Sequence, residues 1–352
     1  HMLHGRGLSL DYSVRRAMLT DVGQRGEEFR QTTKRPLLAP AVVKQLSALS
    51  PWRATASLVF DWGMIGGLVA ATIWLDHPVL WCLAPLGIAA AQHGLAILAH
   101  QAAHYRMYET RWLNDAVGVL CAAPLGVSMH TYRIIHRIHH NHLYTPVDPD
   151  MALMAGYPRG RWHLLKKFIK DLLGVTAVKN YLYFFGRPLR RAAPEKPAAH
   201  TSIIDDTSPA LRRAARLDQR LVIACHVLWL GLAIATGWWR LYVVLWLLPL
   251  VTLLQFVLRL RALCEHGAVP DTSTPLRAAR TNLVPWYVRW WLFPHQMHYH
   301  IEHHLYPSVP HYRLPACHAA LRAAGALAEA EVSPSLRATW RKFFAPAAPT
   351  AM

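Results

Sequence analysis

The chain has 352 residues, of which 53% are hydrophobic and only 16% charged, with a formal net charge of +18. Soluble domains carry about 25% charged residues, so this balance points away from a soluble domain and toward segments buried in lipid. A basic excess of this size suits nucleic acid, an anionic membrane face or an acidic partner, and the lack of zinc-finger spacing or a recognition-helix pattern argues against nucleic acid.

The opening His1-Met2 reads as a cloning scar, and residues 1–54 read as a cytoplasmic N-terminal segment. That segment lacks the apolar core of a cleavable signal peptide and carries Arg15, Arg16, Arg25, Arg30, Lys34 and Arg35. Four apolar stretches follow, at about 58–75, 79–99, 221–238 and 241–258, each long enough to span a bilayer. Only Asp76-His77-Pro78 separates the first two, and only Trp239-Arg240 clearly separates the last two. Each pair therefore reads as a helical hairpin. Arg and Lys concentrate outside the turns, which places the long segments in the cytoplasm.

The fold expected is all-α and integral to a membrane, with four transmembrane helices in two hairpins. A cytoplasmic helical cap (100–218 and 259–344) would complete one unit, 55–344, and gather the chain's histidine clusters, whose spacing suits a two-metal site. Arg161 to Leu173 reads either as a basic amphipathic helix in the interface plane or as a packed helix with a solvated basic face. Trp286 to Phe293 (WYVRWWLF) reads as an aromatic belt. Gly186 to Ala214 is read as a linker and 345–352 as a disordered tail. The five cysteines form no C-x-x-C pair and read as buried free thiols.

The 22 histidines are mostly clustered. His100-Gln-Ala-Ala-His104 follows the second span, and residues four apart share one helical face. His136-Arg-Ile-His139-His140 and His300-Ile-Glu-His303-His304 share the spacing i, i+3, i+4, an arc of about 100° on a helix. Such clusters would repel one another if protonated, and a metal binds the neutral form. Structural zinc takes about four ligands and prefers some thiolate, whereas many neutral nitrogens suit two ions of higher coordination with open positions. Iron fits best, with copper as the lesser possibility.

These stretches resemble the membrane fatty-acid desaturase and hydroxylase superfamily. HQAAH (100–104), HRIHH with the following DPD (136–150), LCEHG (263–267) and HIEHHLYPSVP (300–310) carry the resemblance, which covers roughly Thr55 to Leu321. It implies a ninth ligand histidine after the fourth span, and His266 stands at that place. The implied metal ligands are His100, His104, His136, His139, His140, His266, His300, His303 and His304. Many relatives have asparagine where this chain has His298, which is therefore either an extra ligand, a donor behind the ligands, or a histidine bonded merely to solvent or backbone. Asp148, Asp150, Glu265 and Glu302 are candidates to accept from ligand N–H groups, with turn residues around Pro149 as the plain alternative for the two aspartates. His93, about two turns below His100, is either a tunnel-lining group or a buried histidine paired across helices. Asp61 is assigned to snorkelling toward water, and His130, His142, His226, His295 and His311 to structural roles.

The resemblance implies two iron ions, O2 as co-substrate, and an external electron donor of ferredoxin, rubredoxin or cytochrome type. The expected substrate is a fatty-acyl lipid or acyl thioester, entering among membrane lipids, with a double bond as the product. An acyl or carotenoid hydroxylase or ketolase is the alternative within the superfamily. A non-enzymatic membrane metal-binding protein is the alternative from another class. The expected location is a bacterial inner membrane with the metals on its cytoplasmic side.

Overall fold

The computed structural model describes residues 37–145, 148–186 and 208–344. The tail at 345–352, most of the N-terminal segment and residues 187–207 of the linker lie outside the described residues.

Among the described residues, four helices are long and apolar enough to cross a membrane: α2 (Pro51–Leu75), α3 (Pro78–Ala103), α9 (Pro209–Ala235) and α10 (Trp239–His266). Before them comes α1 (Pro40–Leu46). The chain turns from α2 into α3 in two residues. Asp76 adopts a left-handed conformation (φ 40°) and accepts from Trp81 Nε1 at 3.0 Å, while the His77 side chain caps α3 by accepting from Val79 N. Gly237 (φ 77°) provides the corresponding turn between α9 and α10.

Of the four, α3 is the central helix. In its apolar window 78% is buried, against 17% for α2 and 11% for α9. Its small residues Ala84, Ala91, Ala99, Ala102 and Ala103 let α2 and α10 approach closely. The outer helices leave Val59, Phe60, Trp74, Ile223, Val227 and Leu228 exposed, as hydrocarbon-facing surfaces do. In α10 the turn is wider over Tyr242–Leu247, and Gln92 of α3 donates to the Trp246 carbonyl there at 3.0 Å.

The remaining elements gather around the α3 and α10 ends. They are α4 (Arg111–Ala122), α5 (Met129–Asn141), α6 (Met151–Met154), α7 (Arg161–Leu172), α8 (Val175–Gly186), α11 (Trp286–Leu292), α12 (His300–Leu305), α13 (Leu314–Ala323) and α14 (Leu336–Lys342). Two short strands, β1 (Arg280–Asn282) and β2 (Glu331–Ser333), pair in parallel with Arg280 opposite Glu331. Arg280 is fully buried and donates to the carbonyls of Cys264, Gly267 and Ala268, which satisfies the C-terminal end of α10.

Three expectations change here. The linker ends before Pro209, because Ser208 caps α9 by accepting from Leu211 N and proline suits the first helical turn. Asp61 does not snorkel: it is 2% exposed and pairs with His295 at 2.7 Å. The thiols Cys121, Cys264 and Cys317 are buried, but Cys82 is exposed. The α7 helix buries Leu164 and Asp171, and leaves Leu165, Ile169 and Leu172 exposed beside Lys166 and Lys170. That apolar and basic outer face is the amphipathic pattern of an interfacial helix.

Candidate metal centre

Nine histidines from four separate stretches converge at the ends of α3 and α10. His100 sits on the last turn of α3 and His104 directly caps it. His136, His139 and His140 lie along one side of α5, which starts at a Ser128 cap. His266 is the last residue of α10, and α12 carries His300, His303 and His304.

They divide into two groups. His100, His104, His136, His140 and His303 form one, and His139, His266, His300 and His304 the other, with the ligand atoms of each within 4.8 Å of one another. In the first, His303 Nε2 lies 3.0 Å from both His100 Nε2 and His140 Nε2, and His136 Nε2 lies 2.9 Å from His104 Nε2. In the second, His300 Nε2 lies 2.8 Å from His266 Nε2 and 3.1 Å from His304 Nε2. The groups adjoin, since the His140 and His304 rings stack at 4.3 Å.

Hydrogen bonds alone do not satisfy every ring nitrogen here, since His300 Nδ1 and His303 Nδ1 are buried without a hydrogen-bond partner among the described residues. A neutral imidazole has one N–H, and two of the nine rings spend it on an outward bond from Nδ1. His139 Nδ1 donates to Asp148 Oδ1 at 3.0 Å, and His266 Nδ1 donates to the Ala278 carbonyl at 2.9 Å. That leaves the Nε2 atoms of His139 and His266 as acceptors facing the site. Nitrogens about 2.1 Å from one ion sit roughly 3.0 Å apart at right angles, but about 3.4 Å apart in a tetrahedron. The spacings of 2.8–3.1 Å are close to the right-angle value, and nine imidazoles without a thiolate differ from the usual donor set of structural zinc.

Electrostatics point the same way. Burial, then neighbouring histidines, holds His300, His303 and His304 well below the usual imidazole range, so they stay neutral donors. His104 is lowered to about 3 by burial and by Arg106 and Arg133. His139 differs: burial lowers it, but Asp148 and Asp150 outweigh that and raise it to about 9. Asp148 is held in turn by the Tyr144 and Asp150 backbone N–H groups.

The other sequence candidates are distributed unevenly. Asp150 Oδ2 is 3.5 Å from His139 Nδ1, and Glu265 Oε1 is 3.4 Å from His300 Nδ1 while accepting from Arg261. Glu302 lies against no ligand nitrogen. It accepts from His318 and Thr281, which tie α12 to α13 and β1. His298 joins neither group: its ring lies beside Tyr299 and its backbone carbonyl accepts from Asn282. His93 is fully buried and donates to the Trp291 carbonyl at 2.9 Å. Sequence reasoning passed over Tyr132, which stacks on His136 at 5.5 Å, and Gln101, which lies 3.5 Å from His100 Nδ1 and accepts from His311 N. Gln101 sits inside the first histidine box, the one available signal. Tyr132 is four residues before His136, which puts it on the ligand face of α5.

Together these features define a helical integral membrane protein with two adjoining histidine groups that could each hold a metal ion. A sequence profile described as fatty acid desaturase matches residues 76–334. The chain belongs to the fatty acid desaturase family, a family of oxidoreductases. It is 27% identical over 303 residues to an omega-3 fatty acid desaturase, chloroplastic, of Glycine max, covering 78% of this chain and 61% of that protein. It is 27% identical to the dihydrorhizobitoxine desaturase of Bradyrhizobium elkanii, covering 77% of this chain and 76% of the relative. It is 24% identical to the sn-1 acyl-lipid omega-3 desaturase (ferredoxin) of Synechocystis, covering 82% and 77%.

Proposed function

We propose that this chain is a membrane desaturase that introduces a double bond into the acyl chain of a lipid. The observation that carries the reading is the pair of adjoining nitrogen groups with right-angle spacing. The first group would hold one iron and the second another, nine histidines in all. When bound, iron supplies the O2-dependent oxidation of an unactivated C–H bond.

The chain's own residues do the rest. The Nδ1 donations of His139 and His266 fix their ring orientation, so the Nε2 atoms face inward. Asp148 and Asp150 raise the basicity of His139. Burial of the His100 and His303 rings keeps water from the open positions.

On this reading α2–α3 and α9–α10 are two hairpins, and α4–α8 with α11–α14 form a cap on the cytoplasmic side of a bacterial inner membrane. The Arg and Lys content of the segments outside the two turns supports that orientation. Electrons come from a separate carrier. The Synechocystis relative carries ferredoxin in its name, and an acidic ferredoxin-type donor suits a chain of net charge +18.

The test is lipid mass spectrometry on cells expressing this chain beside a His139→Ala control. New double bonds that vanish in the control support desaturation. A new hydroxyl or ketone assigns the oxygen-inserting alternative, and identical profiles defeat the catalytic reading.

A further inference from the structure

A cavity of about 480 Å³ lies between α2 and α11, with Phe60, Met64, Trp286, Trp290 and Phe293 in its walls. Phe60, Trp286 and Trp290 are 55%, 73% and 42% exposed, so this side of the molecule faces lipid and an occupant can enter sideways. The volume falls within the range of sites for small amphiphiles. None of the nine clustered histidines lines it. Its wall residue Ala90 precedes His100 by ten positions, about 15 Å along α3.

The polar groups decide the ligand. Asp61 and His295 satisfy each other at 2.7 Å, both largely buried. Arg289 has no carboxylate within ion-pair distance among the described residues, and its one side-chain hydrogen bond there is to Gln296 Oε1 at 3.5 Å. A guanidinium in an aromatic-walled cavity calls for an anion, and its planar fork matches phosphate. The backbone here is also strained: His295 (φ 53°) and Gln296 (φ 63°) are consecutive left-handed residues, neither of them glycine. That conformation brings His295 onto Asp61 and Gln296 onto Arg289.

We propose that this cavity binds an anionic membrane phospholipid, with its phosphate on Arg289 and one acyl chain along the aromatic walls. The second chain stays in the bilayer, which the sideways opening allows and a closed pocket would not. The site stands whether or not the desaturase reading survives, because it uses none of the clustered histidines.

The test uses the full chain in nanodiscs with photoreactive acyl-chain analogues of phosphatidylglycerol, diacylglycerol and free fatty acid. Crosslinks are mapped by peptide mass spectrometry. Phosphatidylglycerol is expected to label 56–64 and 286–296, and diacylglycerol to label them far less. Arg289→Gln should cut phosphatidylglycerol labelling by about tenfold, as loss of a charge-assisted bond predicts, while Arg289→Lys keeps more of it. An unchanged thermal unfolding temperature in both variants shows that the fold is intact. Diacylglycerol labelling equal to phosphatidylglycerol, labelling by fatty acid alone, or no change in a folded Arg289→Gln protein each overturns the proposal.

Discussion

His303 Nε2 stands 3.0 Å from both His100 Nε2 and His140 Nε2, which makes it the common neighbour within the first group. Removing it takes one donor from five, and the second group loses none. On the proposed two-iron reading, His303→Ala is therefore expected to lose about half the iron, because an ion that has lost a shared ligand exchanges while its neighbour is retained. Elemental analysis of chelator-free preparations checks this, and full iron retention would show that His303 is not a ligand. On the proposed reading Asp148 acts through His139, whose Nδ1 lies 3.0 Å from its carboxylate. Asp148→Asn should weaken metal binding by about 10–100-fold, measured by competition with a graded chelator. The spacing of these histidines was readable in the sequence because i, i+3 and i+4 positions share a helical face whatever the tertiary fold. The roles of Glu302 and His298 were not, since adjacency to a ligand in sequence does not say which way a side chain leaves the helix. Glu302 turns to His318 and Thr281, residues 16 and 21 positions away.

At the scale of elements, the four apolar stretches were legible from length and hydropathy, although each helix runs further than its apolar run. α2 begins at Pro51 and α9 at Pro209, where proline starts a helix inside what reads as polar chain. Contacts between distant elements were illegible. The Asp61–His295 pair spans 234 positions and depends on α2 meeting the segment before α12. A Cβ at Gly94 would lie 2.5 Å from both Asp61 carboxylate oxygens. Asp61 cannot retreat without losing His295, so Gly94→Ala should cost about 1–3 kcal/mol. Gly118→Ala meets the flexible end of Met129 at 2.8 Å and should cost less. Thermal unfolding in detergent compares the two, and a reversed order would discount the Asp61 pair as a rigid feature. A second joint ties α7 to α10, where Arg259 donates to both carboxylate oxygens of Asp171 at 2.6 and 2.9 Å. Asp171→Ala leaves a buried guanidinium without its partner, a loss of about 3–5 kcal/mol.

Across the whole molecule, the histidine groups bring four stretches of the chain to one place. His100, His139, His266 and His303 come from the ends of α3, α5 and α10 and from α12, and the first three of these helices also share an apolar core around Leu98, Met129 and Leu250. The buried ring nitrogens left without a hydrogen-bond partner among the described residues, His300 Nδ1 and His303 Nδ1, show that hydrogen bonds among the rings do not satisfy the cluster. Ions that bind only the folded chain stabilise it by mass action, about 2.7 kcal/mol when free metal exceeds the dissociation constant a hundredfold. Chelation should therefore lower the apparent melting temperature and expose the chain near 136–145 and 263–283 to proteolysis. Ferrous iron should restore both, and magnesium should not, since it prefers oxygen ligands. The His303→Ala protein should respond to chelator by a smaller shift than the parent, because it starts with fewer bound ions. A melting temperature indifferent to chelator and iron would mean that these nine rings hold the cap without a metal, and the catalytic reading would lose its physical basis.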